Sequence, residues 1–314
     1  MLARLRTPET VARVALVALV ALTMIVLTGA IVRLSGSGLG CPDWPKCFGK
    51  TLPPLKVPAL IEYGNRVITG FVSLAVLAAA VLAFLRRPYR RDIAVVAVLL
   101  PLGVAAQIVL GGFTVREHLA PGYVMAHFSL SMIILMAAVA LVWRTRHEPA
   151  TRPRNADRAV VWSVRALMPL GALAIFVGTA ASGAGPHAGG QVNEKVHRLY
   201  FKGADTLSYV VHRHAGVATL LGLVAVGAWV LARQRQADPV VRRALSAVLL
   251  LLAVQGVLGG AQFALKLPAE MVWTHVLTAA LTWLAILWAV AAAGRPEARP
   301  SPARSEALRP SAAS

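Results

Sequence analysis

Two histidines stand in matching places in this chain. Gln107-Ile-Val-Leu-Gly-Gly112 and Gln255-Gly-Val-Leu-Gly-Gly260 repeat one motif at an offset of 148 residues, and twenty residues beyond each glutamine lies a histidine, His127 and His275. A second block, Asn65-Arg66, aligns with His212-Arg213 at an offset of 147. His212 and His275 can therefore face each other in the later copy, and two neutral imidazoles held that way can clamp a haem iron from both sides. His214 competes with His212: two residues turn a helix by about 200°, so only one can look inward. The alignment of Arg213 with Arg66 selects His212. In the earlier copy the same place holds Asn65, a poor iron ligand, opposite His127. Glu62 stands three residues before Asn65, where the later copy has Tyr209, and positions i and i+3 share a helix face. The expectation is one bis-histidine pocket and one pocket with a histidine, an amide and a carboxylate.

The residues around these pockets suggest supporting roles. Arg66 and Arg213 could pair with porphyrin carboxylates or snorkel to lipid headgroups. Gly111, Gly112, Gly259 and Gly260 allow close approach of a helix or porphyrin. His118, His187 and His197 read as loop histidines, and His147 carries no role. The two cysteines, Cys41 and Cys47, flank Pro42 and Pro45. A turn there would let the thiols meet as a disulfide.

Ionisable side chains of this kind need elements that carry them at membrane depth. Of the 314 residues, 57% are hydrophobic and 14% charged, against about 25% charged in an ordinary soluble domain. Eight apolar runs, about 11–32, 65–85, 93–113, 124–143, 166–183, 212–232, 244–264 and 272–293, approach or exceed the roughly 20 residues a spanning helix needs. The first run follows Arg4 and Arg6 but lacks a small-residue cleavage pattern, so it reads as a retained helix. With the N-terminus inside, the inner segments, with Arg13 at the inner end of the first run, hold 21 of the 32 Lys and Arg, the positive-inside pattern of a cell-membrane protein. The net charge of +19 is scattered among short loops, which argues against nucleic-acid binding.

The repeats divide the chain into residues 11–143 and 166–293, joined by a basic inner linker, 144–165. Short tails, 1–10 and 294–314, are inner, and the second is expected to be disordered. The expected fold is all-α: eight transmembrane helices as two four-helix bundles, related by a pseudo-two-fold axis along the membrane normal.

Gly29-Ala-Ile-Val-Arg33, then Gly38-Leu-Gly-Cys41-Pro-Asp-Trp-Pro-Lys-Cys47, the Glu62-Tyr-Gly-Asn65-Arg66 block, the Gln-x-x-Leu-Gly-Gly repeats and Gly185-Pro-His-Ala-Gly189 together resemble the heme A synthase family, in its bacterial type with a cysteine pair in the first outer loop. The resemblance implies an eight-helix membrane oxidoreductase that converts haem O to haem A by oxidising a ring methyl to a formyl group. It implies haem b held by His212 and His275, with Arg213 beside it. It implies a substrate-haem pocket at His127, with Glu62 as the functional carboxylate, and a Cys41–Cys47 disulfide; Asn65 and Arg66 join that pocket by their place beside Glu62. Haem O synthase and terminal-oxidase assembly factors are the implied partners. Asn65 departs from the family, which usually has a second histidine there. Two other classes remain: a dihaem b-type electron-transfer cytochrome, which would need two strong ligand pairs, and a haem transport or delivery protein, which would need a polar path through spans that are nearly all apolar.

Overall fold

The computed structural model describes residues 5–155, 157–191, 194 and 196–297. Among them are eight helices long and apolar enough to cross a membrane: α1 (Pro8–Leu34), α2 (Val57–Leu85), α3 (Arg91–Arg116), α4 (Pro121–Arg146), α5 (Arg158–Ala184), α6 (Thr206–Gln234), α7 (Pro239–Ala264) and α8 (Ala269–Ala293). The chain is a multi-pass membrane protein. Local chemistry sets several helix starts. Thr7 accepts the Thr10 N–H ahead of Pro8, Asp157 accepts the N–H groups of Ala159 and Val160, and Asp238 accepts that of Val240 ahead of Pro239.

Most helices outrun the apolar segments that reveal them. α2 begins eight residues before residue 65, and α6 begins six before residue 212. The added turns carry a few polar side chains among apolar ones, Glu62 in α2 and Thr206 and Ser208 in α6. The α2 extension puts Glu62, Asn65 and Arg66 on one continuous helix.

The two halves repeat in their buried positions. Val11, Ala15, Ala18 and Leu22 of α1 correspond to Val160, Val164, Leu167 and Gly171 of α5, an offset of 149. Val72, Val76, Ala79 and Ala83 of α2 correspond to Leu221, Ala225, Ala228 and Ala232 of α6, again at 149. From α3 onward the offset is 148: Ile93, Ala97 and Leu100 match Val241, Leu245 and Val248. Leu135, Ala138 and Val139 of α4 match Trp283, Ile286 and Leu287 of α8. The change falls in the connection after the second helix of each half, residues 86–90 in one and 235–238 in the other. The first half pairs α1 with α2 and α4, and α3 with α2 and α4; the second pairs α5 with α6 and α8, and α7 with α6 and α8. These are the two four-helix bundles expected.

Tryptophans on α8 fasten the halves. Trp283 Nε1 donates to the Met132 carbonyl of α4 at 3.0 Å, and Trp273 Nε1 to the Leu27 carbonyl of α1 at 3.2 Å. Paired indoles bury large apolar area while each N–H keeps an acceptor.

At the basic end, arginines are locked rather than solvated. Arg86 is 1% exposed and bonds Glu148, Arg90 bonds Glu148 and Asp92, and Arg152 bonds Asp92. The segment expected as a disordered tail from residue 294 begins ordered. Arg295–Pro296 pair in parallel with Arg154–Asn155, and the Glu297 N–H donates to the Asn155 carbonyl. Gly294 turns into this pairing at φ 72°, and a side chain there would overlap the Pro153 carbonyl. Residues 298–314 of the expected disordered tail lie outside the described residues.

Candidate functional site

In the second half the structure brings His214, not His212, opposite His275. The two rings lie 6.2 Å apart between centroids, at 77° to each other. His214 Nδ1 meets the Ala174 carbonyl of α5 at 2.9 Å, and its ring packs on Gly178, where a Cβ would stand 3.0 Å from Cε1. His212 lies on the exposed side of α6. Its Nδ1 meets the Ser208 carbonyl of its own helix at 2.7 Å, and its ring centroid lies 6.5 Å from that of Phe263 of α7. The physical reason is helix register. His212 and His214 sit about 200° apart, and the buried face of α6, running through Val210, Leu221, Ala225 and Ala228, turns His214 inward. The offset of 149 shared by the buried residues makes His214 the counterpart of Asn65. Matching Asn65-Arg66 to His212-Arg213 by residue type slipped the register by two. Arg213 is exposed beside Tyr209, its guanidinium 4.9 Å from the ring centre.

In the first half, Asn65 holds the place of His214 and bonds across to α1. The Thr28 hydroxyl lies 2.7 Å from Asn65 Oδ1 and 3.2 Å from the Ile25 carbonyl. Ile25 is the counterpart, at 149, of Ala174. The carbonyl that orients an imidazole in one half is thus met in the other by a hydroxyl that reaches Asn65.

Glu62 is buried, at 5% exposure, and fastens the cysteine loop. It accepts the Cys41 N–H at 2.7 Å and pairs with Arg66 at 2.5 Å. Arg66 also donates to the carbonyls of Cys41, Pro45 and Lys46 at 3.0–3.3 Å. In the structure Arg66 is a latch that closes the loop over Glu62. A buried carboxylate is tolerable when paired and bonded in this way.

The loop itself is closed by the expected disulfide, Cys41–Cys47, both residues buried. Asp43 accepts the N–H groups of Phe48 and Gly49, and the Gly49 bond first of all holds its carboxyl below the usual carboxylate range. Trp44 lies flat on α3, where a Cβ at Gly112 would approach its ring at 2.8 Å, and Arg116 donates to its carbonyl. Gly40 packs so closely on α2 that a side chain would overlap the Pro58 carbonyl. Gly40→Ala is therefore expected to lift the loop from α2 and cost about 1–3 kcal/mol, the usual scale of overpacking. Thermal unfolding of the variant in detergent checks this.

His127 and His275 are set alike. Gln107 Nε2 donates to the His127 carbonyl at 2.8 Å, and Gln255 Nε2 to the His275 carbonyl at 3.1 Å. Cβ atoms at Gly111 and Gly259 would stand 3.3 and 3.4 Å from Cε1 of the two imidazoles, respectively. Gly260 faces open space. The remaining loop histidines divide. His187 Nε2 meets the Leu267 carbonyl, and its own carbonyl accepts from Arg33 Nε, which ties the α5–α6 loop to α1 and the α7–α8 loop. His118 and His197 are exposed.

Sequence comparison places the chain. Residues 12–59 and 55–287 match the profile of the COX15-CtaA family, described as cytochrome oxidase assembly protein, and the chain belongs to that family. It is 32% identical over 120 residues to the heme A synthase of Lysinibacillus sphaericus, a match covering 38% of this chain and 39% of that protein. It is 26% identical over 162 residues to the heme A synthase of Bacillus pumilus, covering 49% and 53% respectively. It is 29% identical over 280 residues to a protoheme IX farnesyltransferase of Thermus thermophilus, covering 83% of this chain and 45% of that protein. The chain thus spans about half or less of the length of these relatives.

Proposed function

We propose that the chain is an oxidoreductase of haem A biosynthesis, oxidising a ring methyl of haem O to a formyl group. The observation that carries this reading is the inequality of two otherwise matched pockets. One sets His214 against His275, and the other sets Asn65 in the place of His214 while keeping His127. The family and its named heme A synthases supply the class of reaction.

His214 and His275 fit a resident haem b. An imidazole whose Nδ1–H is given to a carbonyl presents a bare Nε2 lone pair, the usual arrangement of a metal-bound histidine. Two imidazoles on one iron need ring centres roughly 6 Å apart, given metal–nitrogen bonds near 2 Å, and the observed spacing is 6.2 Å. Bound there, haem b would supply a one-electron carrier closed to exogenous ligands. Arg213, exposed at the same helix end, would meet its carboxylates.

The substrate pocket works through different residues. His127 offers one strong ligand to the haem O iron, and Asn65, bonded to Thr28, leaves the opposite side weakly held. Written with water as oxygen donor, R–CH3 + H2O → R–CHO + 4 H⁺ + 4 e⁻, so the step needs a proton acceptor at the pocket and an external electron acceptor. Glu62 is the candidate proton acceptor: each of its oxygens already takes one donor, and a carboxylate oxygen keeps a further lone pair. Arg66 and the Cys41 N–H hold that carboxylate in place.

The reading sets the cysteine loop outside the cell membrane and both termini in the cytoplasm, from the distribution of Lys and Arg. A partner that farnesylates protohaem is supported by the Thermus relative, whose name is that of such an enzyme and which contains a segment like this chain. Formation of haem A in a host that supplies haem O tests the proposal.

A further inference from the structure

We propose that Gln107 and Gln255 are positioning residues, each fixing the rotation of the helix that carries the iron-binding histidine of its half. The proposal rests on the reading of His127 and His275 as ligands of haem iron.

The motif that first marks the repeat has, in both halves, the same job in three dimensions. Each glutamine sits on the third helix of its half and gives its amide N–H to the main-chain carbonyl of the histidine on the fourth, at 2.8 Å in one half and 3.1 Å in the other. A hydroxyl one turn further along meets the same carbonyl: Ser131 Oγ at 3.1 Å from the His127 carbonyl, and Thr278 Oγ1 at 3.1 Å from that of His275. Gln107 also donates to Ser131 Oγ at 2.7 Å. One helical turn beyond the glutamine, Gly111 or Gly259 lets the imidazole edge lie against the helix. Among the described residues, the same two atoms are left buried without a partner in both halves, the glutamine Oε1 and the histidine Nδ1. Recurrence at identical atoms, across halves whose opposite walls differ, separates this arrangement from chance packing.

A carbonyl inside a helix already accepts from the N–H four residues on, so it needs no second donor for stability. A second donor from a neighbouring helix does something else, because it resists rotation about the helix axis. A side chain about 6 Å from that axis moves by about 1 Å for a 10° rotation. An axial ligand displaced that far no longer points at an iron held by its opposite partner. Interhelical hydrogen bonds at membrane depth are individually modest. The expected effect therefore falls on ligand geometry more than on folding.

Purified Gln255→Met tests the proposal, since methionine fills similar space without donating. Haem b is expected to be retained roughly tenfold less tightly, with altered low-spin g values in the electron paramagnetic resonance spectrum. Gln107→Met is expected to leave the spectrum of the resident haem as in the wild type. Wild-type g values and haem retention in Gln255→Met would overturn the proposal, as would an altered resident-haem spectrum in Gln107→Met. If Gln255→Met does not fold, Gln255→Leu, which likewise lacks the amide N–H, decides instead by the same g values: altered values support the role, and wild-type values overturn it. His275→Ala, measured in parallel, separates the two layers. An unchanged low-spin spectrum there removes the ligand reading on which the proposal stands, whereas a lost spectrum there with no change in Gln255→Met removes only the proposal.

Discussion

Purified His214→Ala is expected to have lost its low-spin haem b, while His212→Ala keeps it. The two substitutions are chemically identical and lie two residues apart, so the comparison isolates direction. His214 is oriented by the Ala174 carbonyl and faces the His275 ring. His212 is exposed and turned to its own helix and to Phe263. Losing one of two imidazoles leaves the iron with a single protein ligand, which converts a closed low-spin centre into an open one or releases the haem. The optical spectrum of the purified variants, with haem extracted and quantified, reads the result. Loss in His212→Ala with retention in His214→Ala would return the ligand role to the residue that the Asn65-Arg66 alignment selects.

Glu62→Gln is expected to abolish haem A formation while leaving haem b bound at wild-type stoichiometry. Glutamine retains a carbonyl oxygen for the Cys41 N–H and leaves the Arg66 bonds to the loop carbonyls in place, but it has no basic oxygen to take a proton. General-base contributions of this kind are worth roughly 10²–10⁴ in rate. Glu62→Ala should match it in activity and also loosen the loop, because the Cys41 N–H loses its acceptor and Arg66 its carboxylate partner. Pigment extraction from cells expressing each variant measures the product. Normal haem A in Glu62→Gln would remove the carboxylate from the chemistry and leave it as a loop fastening.

Much of this was legible in the residues because membrane folding depends on coarse, additive features. Apolar length gave eight spans, and the Gln-to-His spacing gave two copies of one unit. The prolines around Cys41 and Cys47 pointed to the turn that closes the disulfide. The choice between His212 and His214 was not legible in the same way. Residue identity favours aligning Asn65-Arg66 with His212-Arg213, but the inward face of α6 is set by small residues such as Ala225, Ala228 and Ala232. Those pack at 149, and the offset falls to the 148 of the Gln-to-His motif only past α6, where the connection is one residue shorter than that after α2. The same small-residue stripe, read down both helices, was the available signal. The latch made by Arg66 was hidden for a different reason. A lone arginine at a helix end reads as a lipid or ligand partner until the loop that folds over it supplies Cys41, Pro45 and Lys46 carbonyls. The ordered start of the C-terminal tail depends on a pairing with a segment some 140 residues earlier in the chain, between Arg295 and Arg154, which composition alone does not reveal.

The division of labour between the pockets is tested most directly by pigment analysis after the wild-type chain is produced in a host that makes haem O but no haem A. The account predicts haem A in the extracted pigments, together with haem b that copurifies with the chain. Haem b and unaltered haem O, with no haem A from a well-folded chain, would contradict it and favour an electron carrier or a haem-delivery protein on the same scaffold.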